Sequence, residues 1–210
     1  MSRQPEALRG ATIVGTGMYV PERVLTNAEL ERMVDTSDAW IVERTGIRER
    51  HIAAPGQAAS DMALVAARRA LEMAGLGPAD VGQLIVATIT ADRPLPSCAC
   101  DLQAKLGATK AAAYDISAAC SGFVYGLGIA RATIGASLAD TILLVGVEQL
   151  SSIADYQDRN TCVLFGDGAG AAVLRPCAPG EGVLAVSIHS DGGQGDILEV
   201  PAGGSRRPAS

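Results

Sequence analysis

A cysteine stands where a strand gives way to a helix. Cys120 lies in Ser117-Ala-Ala-Cys-Ser-Gly-Phe123, behind the run Ala111-Ala-Ala-Tyr-Asp-Ile-Ser117 and ahead of an apolar, glycine-containing segment over residues 122–136. A thiol in that position sits near a helix's unpaired N–H groups and the positive end of its dipole. Both favour the thiolate, which is the nucleophilic form. The small neighbours Ala118, Ala119 and Gly122 leave room for a substrate to approach. On spacing alone, a buried structural cysteine fits the string equally well. Cys98, Cys100, Cys162 and Cys177 lack this placement and read as structural.

A second cluster lies in Thr36-Ser-Asp-Ala-Trp-Ile-Val-Glu-Arg-Thr-Gly-Ile-Arg-Glu-Arg-His51, which holds the only tryptophan among several arginines. Trp40 and Arg44 are four apart and share a helix face. An indole for base stacking beside a guanidinium for phosphate suits a nucleotide-bearing ligand. Taken alone, the pair fits a half-buried tryptophan beside solvated arginines better. Gly15-Thr-Gly-Met-Tyr-Val20 half resembles a dinucleotide fingerprint, but its third glycine is missing and Pro21 interrupts the helix, so it reads as a turn. Gly166-Asp-Gly-Ala-Gly170 lacks the Lys and Ser/Thr of a phosphate loop and runs into a strand, so it reads as close backbone packing beside a site. His51 and His189 are the only histidines, which limits acid–base chemistry within the chain.

These residues are carried by alternating elements. The pattern predicts strands over residues 11–15, 84–90, 111–117, 141–147, 169–174 and 183–188, the first ended by Gly17 and Pro21. It predicts helices over residues 27–34, 37–44, 60–74, 97–106 and 122–136, with Gly75 stopping the third. The last of these helices has hardly any polar face and is expected to be buried all round. Alternation of this kind argues an α/β fold with a largely parallel sheet.

Composition narrows the function. The 210 residues are 48% hydrophobic and 19% charged, which excludes a disordered chain. At 3% aromatic, the core must be built from Ala, Val, Ile and Leu. A net charge of −6 disfavours nucleic acid as a partner. No run approaches the twenty apolar residues of a membrane span, and residues 1–10 do not read as a secretory signal. Five cysteines without C-x-x-C spacing read as reduced cytoplasmic thiols, with neither a disulfide framework nor a metal site.

Three strings together resemble the β-ketoacyl-[acyl-carrier-protein] synthase III family of condensing enzymes. They are Val34-Asp-Thr-Ser-Asp-Ala-Trp-Ile-Val-Glu-Arg-Thr-Gly-Ile-Arg-Glu-Arg-His-Ile-Ala-Ala54, Asp115-Ile-Ser-Ala-Ala-Cys-Ser-Gly-Phe123 and Asp158-Arg-Asn-Thr-Cys-Val-Leu-Phe-Gly-Asp-Gly-Ala-Gly-Ala171. The resemblance spans roughly residues 11–204. It implies a thiolase-like α/β fold, a layered mixed sheet with helices and a buried central helix after the nucleophile, in a homodimer. It implies that Cys120 takes an acyl group from acyl-CoA, a substrate and not a cofactor, and that Trp40 and Arg159 sandwich the CoA adenine. Thr36 and Arg44 match contacts to the nucleotide end, and Leu150 and Phe165 match walls of the acyl pocket. The implied reaction is decarboxylative Claisen condensation of an acyl-CoA primer with malonyl-acyl carrier protein, initiating fatty-acid synthesis in the cytoplasm.

Two departures qualify the match. Leu95, in Arg93-Pro-Leu-Pro96, stands where some members carry an aromatic reaching into the neighbouring subunit's acyl pocket, which leaves the primer open. The family's catalytic histidine and asparagine match no residue here, and neither His51 nor His189 corresponds to that histidine. The resemblance therefore implies an N-terminal thiolase-like half over residues 1–178 and the start of a second half over residues 179–210. Such a piece is expected to need its C-terminal half for condensation and for stability as a monomer. Other readings are a starter-unit condensing enzyme of secondary metabolism, a cysteine hydrolase with His189 as base, and a non-catalytic acyl-CoA-binding half.

Overall fold

The computed structural model describes residues 8–208; residues 1–7, and with them most of the segment considered above as a leader, lie outside the described residues, as do residues 209 and 210. Among the described residues, seven strands and five α-helices follow one another as β1 (Gly10–Tyr19), β2 (Arg23–Thr26), α1 (Asn27–Leu30), α2 (Asp38–Thr45), β3 (Glu49–Ile52), α3 (Ala59–Ala74), β4 (Gln83–Ala87), α4 (Cys98–Leu106), β5 (Ala112–Ile116), α5 (Gly122–Gly135), β6 (Ile142–Gln149) and β7 (Asp167–Cys177). Five strands form one sheet in the order β1-β7-β6-β4-β5, and β2 pairs with β3 in a small antiparallel sheet.

The sheet is mixed, as the resemblance implies, and less parallel than alternation alone suggests. β4 runs parallel to β5 and to β6, each joined through a helical crossover. Between β6 and β7 the chain makes only short turns, so β7 returns antiparallel to β6, and β1 antiparallel to β7. β4 and β6 are central and covered on both faces, which is why Leu84-Ile-Val86 and Ile142-Leu-Leu-Val145 are unbroken apolar runs.

Helices α3 and α4 cover one face of the sheet over an Ala-rich core, and α5 covers the other over Ile85, Ala130, Ile134, Ile142 and Leu144. Local signals set the helix ends. Ser37 and Ser97 cap α2 and α4 by accepting from the N–H groups of Trp40 and Cys100. The Asp115 carboxylate also accepts from the N–H groups of Cys98 and Ala99, at 2.7 Å each. Gly75, in the left-handed region at φ 66°, closes α3.

Three expectations change. Gly17 does not end the first strand; β1 runs through Gly15 and Gly17 to Tyr19, two residues before Pro21. A Cβ on Gly15 would meet the Ala70 carbonyl oxygen at 2.3 Å, and one on Gly17 would meet that of Ala66 at 2.2 Å. The glycines let the alanine face of α3 lie directly on β1. Second, residues 183–188 form no strand. One parallel bridge, Ala11 to Gly182, ends the pairing, and Leu184 and Ile188 stay exposed because no layer opposes them here. Third, α5 is not buried all round. Gly122, Gly126, Ala130 and Ile134 face the sheet and Gly135 lies near Leu8 and Arg9, whereas Val124 is exposed. The helix's outer side meets the segment that follows β7, where Arg131 Nε donates to the Val183 carbonyl at 2.8 Å. Among the described residues no helix is long and apolar enough to cross a membrane.

Candidate active site

The three parallel strands β5, β4 and β6 end on the same edge of the sheet, where α/β sheets commonly bind ligands. Cys120 leaves that edge in a single tight turn, Ala119–Ser121, between β5 and α5. It is the one cysteine of the five that is exposed. Ala119, just before it, has φ 44°, a left-handed conformation that costs a residue with a Cβ about 1–2 kcal/mol. The turn thereby holds the thiol at the entrance of the 14-residue helix α5.

Two carboxylates brace the loops around this edge. Glu148, near the end of β6, accepts from the Ile89 N–H at 2.9 Å and from the Thr90 hydroxyl at 2.5 Å, fastening the loop after β4. Burial pushes its carboxyl above the usual carboxylate range, against the pull of those hydrogen bonds. Asp167, buried at the start of β7, accepts from the N–H groups of Ala53 and Ser151 and from the Ser151 hydroxyl. The only local hint of Glu148 is a lone acid closing an apolar strand.

Leu150 begins the turn after β6, and Phe165 stands two residues before β7; both are half-buried. The last rung between these strands, Gln149 to Asp167, brings the two to the same end of the sheet. Leu95 lies on the loop before α4 with 83% of its surface exposed. Cys98 and Cys162 are buried, and burial pushes both thiols up. His51 Nδ1 lies 2.5 Å from the Pro21 carbonyl oxygen, and His189 Nε2 lies 3.1 Å from the Ser187 hydroxyl. Among the described residues, no hydrogen bond joins either ring to Cys120.

The residues around Trp40 do come together. The guanidinium carbon of Arg44 lies 4.4 Å from the centroid of the Trp40 ring, and that of Arg159 lies 5.0 Å from it. Arg44 follows one turn later on α2, whereas Arg159 comes from the loop between β6 and β7 and donates to the Asp35 carbonyl at 3.0 Å. Beside Asp35, the Thr36 hydroxyl is buried without a hydrogen-bond partner. An indole flanked by two cations, with a spare hydroxyl at the start of the same helix, offers stacking and anion contacts together. Among the described residues, no group of three or more His, Cys, Asp or Glu side chains is arranged to hold a metal ion.

The model of the family described as 3-oxoacyl-[acyl-carrier-protein] synthase III matches residues 114–192, the stretch from β5 through Cys120 to the segment after β7. A curated relative from Caldanaerobacter subterraneus subsp. tengcongensis, named β-ketoacyl-[acyl-carrier-protein] synthase III, is 56% identical over 95% of this chain and 60% of its own length. The crystal structure of the synthase III from Pseudomonas aeruginosa is 47% identical and superimposes with a TM-score of 0.87, over 95% of this chain and 62% of that one. The priming β-ketosynthase of the R1128 polyketide pathway is 39% identical, with a TM-score of 0.79 over 84% of this chain and 52% of its own. The chain thus spans about three-fifths of the length of the curated relatives it matches. Over that length, sequence and fold agree on one likeness: the chain is similar to members of the 3-oxoacyl-[acyl-carrier-protein] synthase III family, whose fold is thiolase-like.

Proposed function

We propose that Cys120 accepts an acyl group from acyl-CoA and that the whole protein passes it to malonyl-acyl carrier protein, initiating fatty-acid synthesis. The Cys120 thiolate adds to the thioester carbonyl, the CoA thiolate leaves and takes up a proton, and an acyl-cysteine remains. Malonyl-carrier protein then loses CO2, and the resulting enolate carbon attacks the acyl-cysteine. The new carbon–carbon bond forms as the C–S bond breaks, which returns the Cys120 thiolate. Trp40, Arg44, Arg159 and Thr36 hold the nucleotide end of CoA, while Leu150 and Phe165 wall the acyl chain. We read residues 1–178 as the half that carries the nucleophile, residues 179–210 as the opening of a second half, and the protein as a cytoplasmic homodimer. The family's histidine and asparagine for the decarboxylative step belong to that second half.

The observation that carries this reading is the exposed thiol of Cys120 at the entrance of α5, while Cys98 and Cys162 are buried. Peptide mapping after incubation with acetyl-CoA tests it. The added acetyl mass is expected on Cys120; acetylation on another cysteine, or on none, overturns it. The likeness to a polyketide priming enzyme favours a second reading, a starter-unit role in secondary metabolism. The higher identity of relatives named synthase III places it second.

A further inference from the structure

Arg50 is 5% exposed, yet among the described residues it forms no ion pair. A buried guanidinium held by neutral acceptors is a poor way to fill a core, since desolvation of the charge is costly. Its contacts suggest another use. Nη1 donates to the Leu25 carbonyl at 3.2 Å and to Asn27 Oδ1 at 2.9 Å, and Nη2 donates to the Val163 carbonyl at 2.9 Å. One planar fork therefore ties β2, the start of α1 and the loop between β6 and β7.

Both ends of that fork lead to the Trp40 cluster. The amide of Asn27 passes the tie onward, donating to Asp38 Oδ1 at 2.8 Å and to the Ile47 carbonyl at 2.9 Å. Asp38 opens α2 two residues before Trp40, and Ile47 lies just past its end. On the other side, Val163 follows the turn that holds Arg159, closed by the Cys162 N–H donating to the Asp158 carbonyl at 3.0 Å. Gly166 keeps this loop against β3, where a Cβ on it would stand 2.9 Å from that of Arg50. We propose that Arg50 is a positioning residue that sets the separation between Trp40 and Arg159, and so the fit of the nucleotide end of acyl-CoA. The inference rests on the nucleotide reading of those two residues.

Trp40 is the only tryptophan, so fluorescence excited at wavelengths that the four tyrosines do not absorb reports that ring alone. The experiment titrates CoA into the full chain and, separately, compares acylation of Cys120 by acetyl-CoA with acylation by S-acetyl-N-acetylcysteamine, which has no nucleotide. Arg50→Lys keeps the charge but loses the fork, and CoA affinity should fall about tenfold, the worth of one charge-assisted hydrogen bond. Acylation by acetyl-CoA should fall about tenfold more than acylation by the nucleotide-free donor. Asp38→Ala, at the exposed end of the relay, should weaken CoA in the same direction, and Asp38→Asn, which still accepts from Asn27, should restore it; this pair decides if Arg50→Lys does not fold. Native CoA affinity in the variants, or equal losses with both donors, overturns the role of Arg50. Trp40→Ala serves as the reference: if it too binds CoA normally, the nucleotide reading itself fails.

Discussion

Gly122 and Ala87 meet with no space for a side chain between them: a Cβ on Gly122 would stand 2.9 Å from that of Ala87. Gly122 opens α5 and Ala87 closes β4, so this contact fixes how close the helix entrance, and Cys120 two residues before it, sits to the sheet. Neither atom belongs to a flexible side chain, so the helix must move to admit a methyl group. Gly122→Ala should lower stability by about 1–3 kcal/mol, the usual range for overpacking. It should also change the rate at which iodoacetamide alkylates Cys120. Urea unfolding and alkylation kinetics read the two effects. A variant with native stability and native alkylation would show that the contact sets nothing.

The same contact marks the border between what local sequence can and cannot reveal. Cys120 is legible because a strand, a tight turn and a helix follow one another within a few residues. Trp40 and Arg44 are legible because they are one helical turn apart. Arg159 reaches Trp40 from the far side of the β6–β7 loop, a contact no spacing rule encodes, and only the family resemblance suggests it. The fold divides in the same way. Central strands and capped helices follow from apolar runs, Ser37, Ser97 and Gly75. β2 and β3 pair Arg23 with Ile52 across α1 and α2, and their polar residues show no strand alternation. Gly15 and Gly17 look like turn residues because their reason, the approach of Ala66 and Ala70, lies on another element.

Glu148 should make stability depend on pH in a direction opposite to that of an ordinary salt-bridged acid. Burial holds its folded value above the roughly 4.3 of an unfolded glutamate. The fold therefore prefers the protonated form. That contribution is fully present below the unfolded value and is lost as pH rises through the folded one. Glu148→Gln cannot ionise, and its oxygen can still accept from the Ile89 N–H while its amide meets the threonine hydroxyls. Relative to native protein, the variant should gain stability as pH rises from 4 to 7.5, because only the native carboxyl must ionise in a buried site. Urea midpoints at the two pH values measure it. Parallel pH curves for the two proteins would mean that the carboxylate is comfortable where it sits.

Leu95 offers a test of where selection among primers takes place. With 83% of its surface exposed, it packs against almost nothing in its own chain. A surface substitution of this kind changes stability by no more than about 0.5 kcal/mol. Any discrimination it exerts must act on a surface outside the chain, which agrees with its proposed place in the neighbouring subunit's acyl pocket. Leu95→Phe adds bulk there and should select against branched primers, by about 10- to 200-fold if the pocket discriminates as hydrophobic pockets usually do. Competition between acetyl-CoA and isobutyryl-CoA for Cys120, read by mass spectrometry of the acylated peptide, gives the ratio directly. A shifted ratio with an unchanged Tm places Leu95 in a pocket completed by a surface outside this chain. An unchanged ratio removes it from the acyl site, and a large fall in Tm would show that its side chain is packed after all.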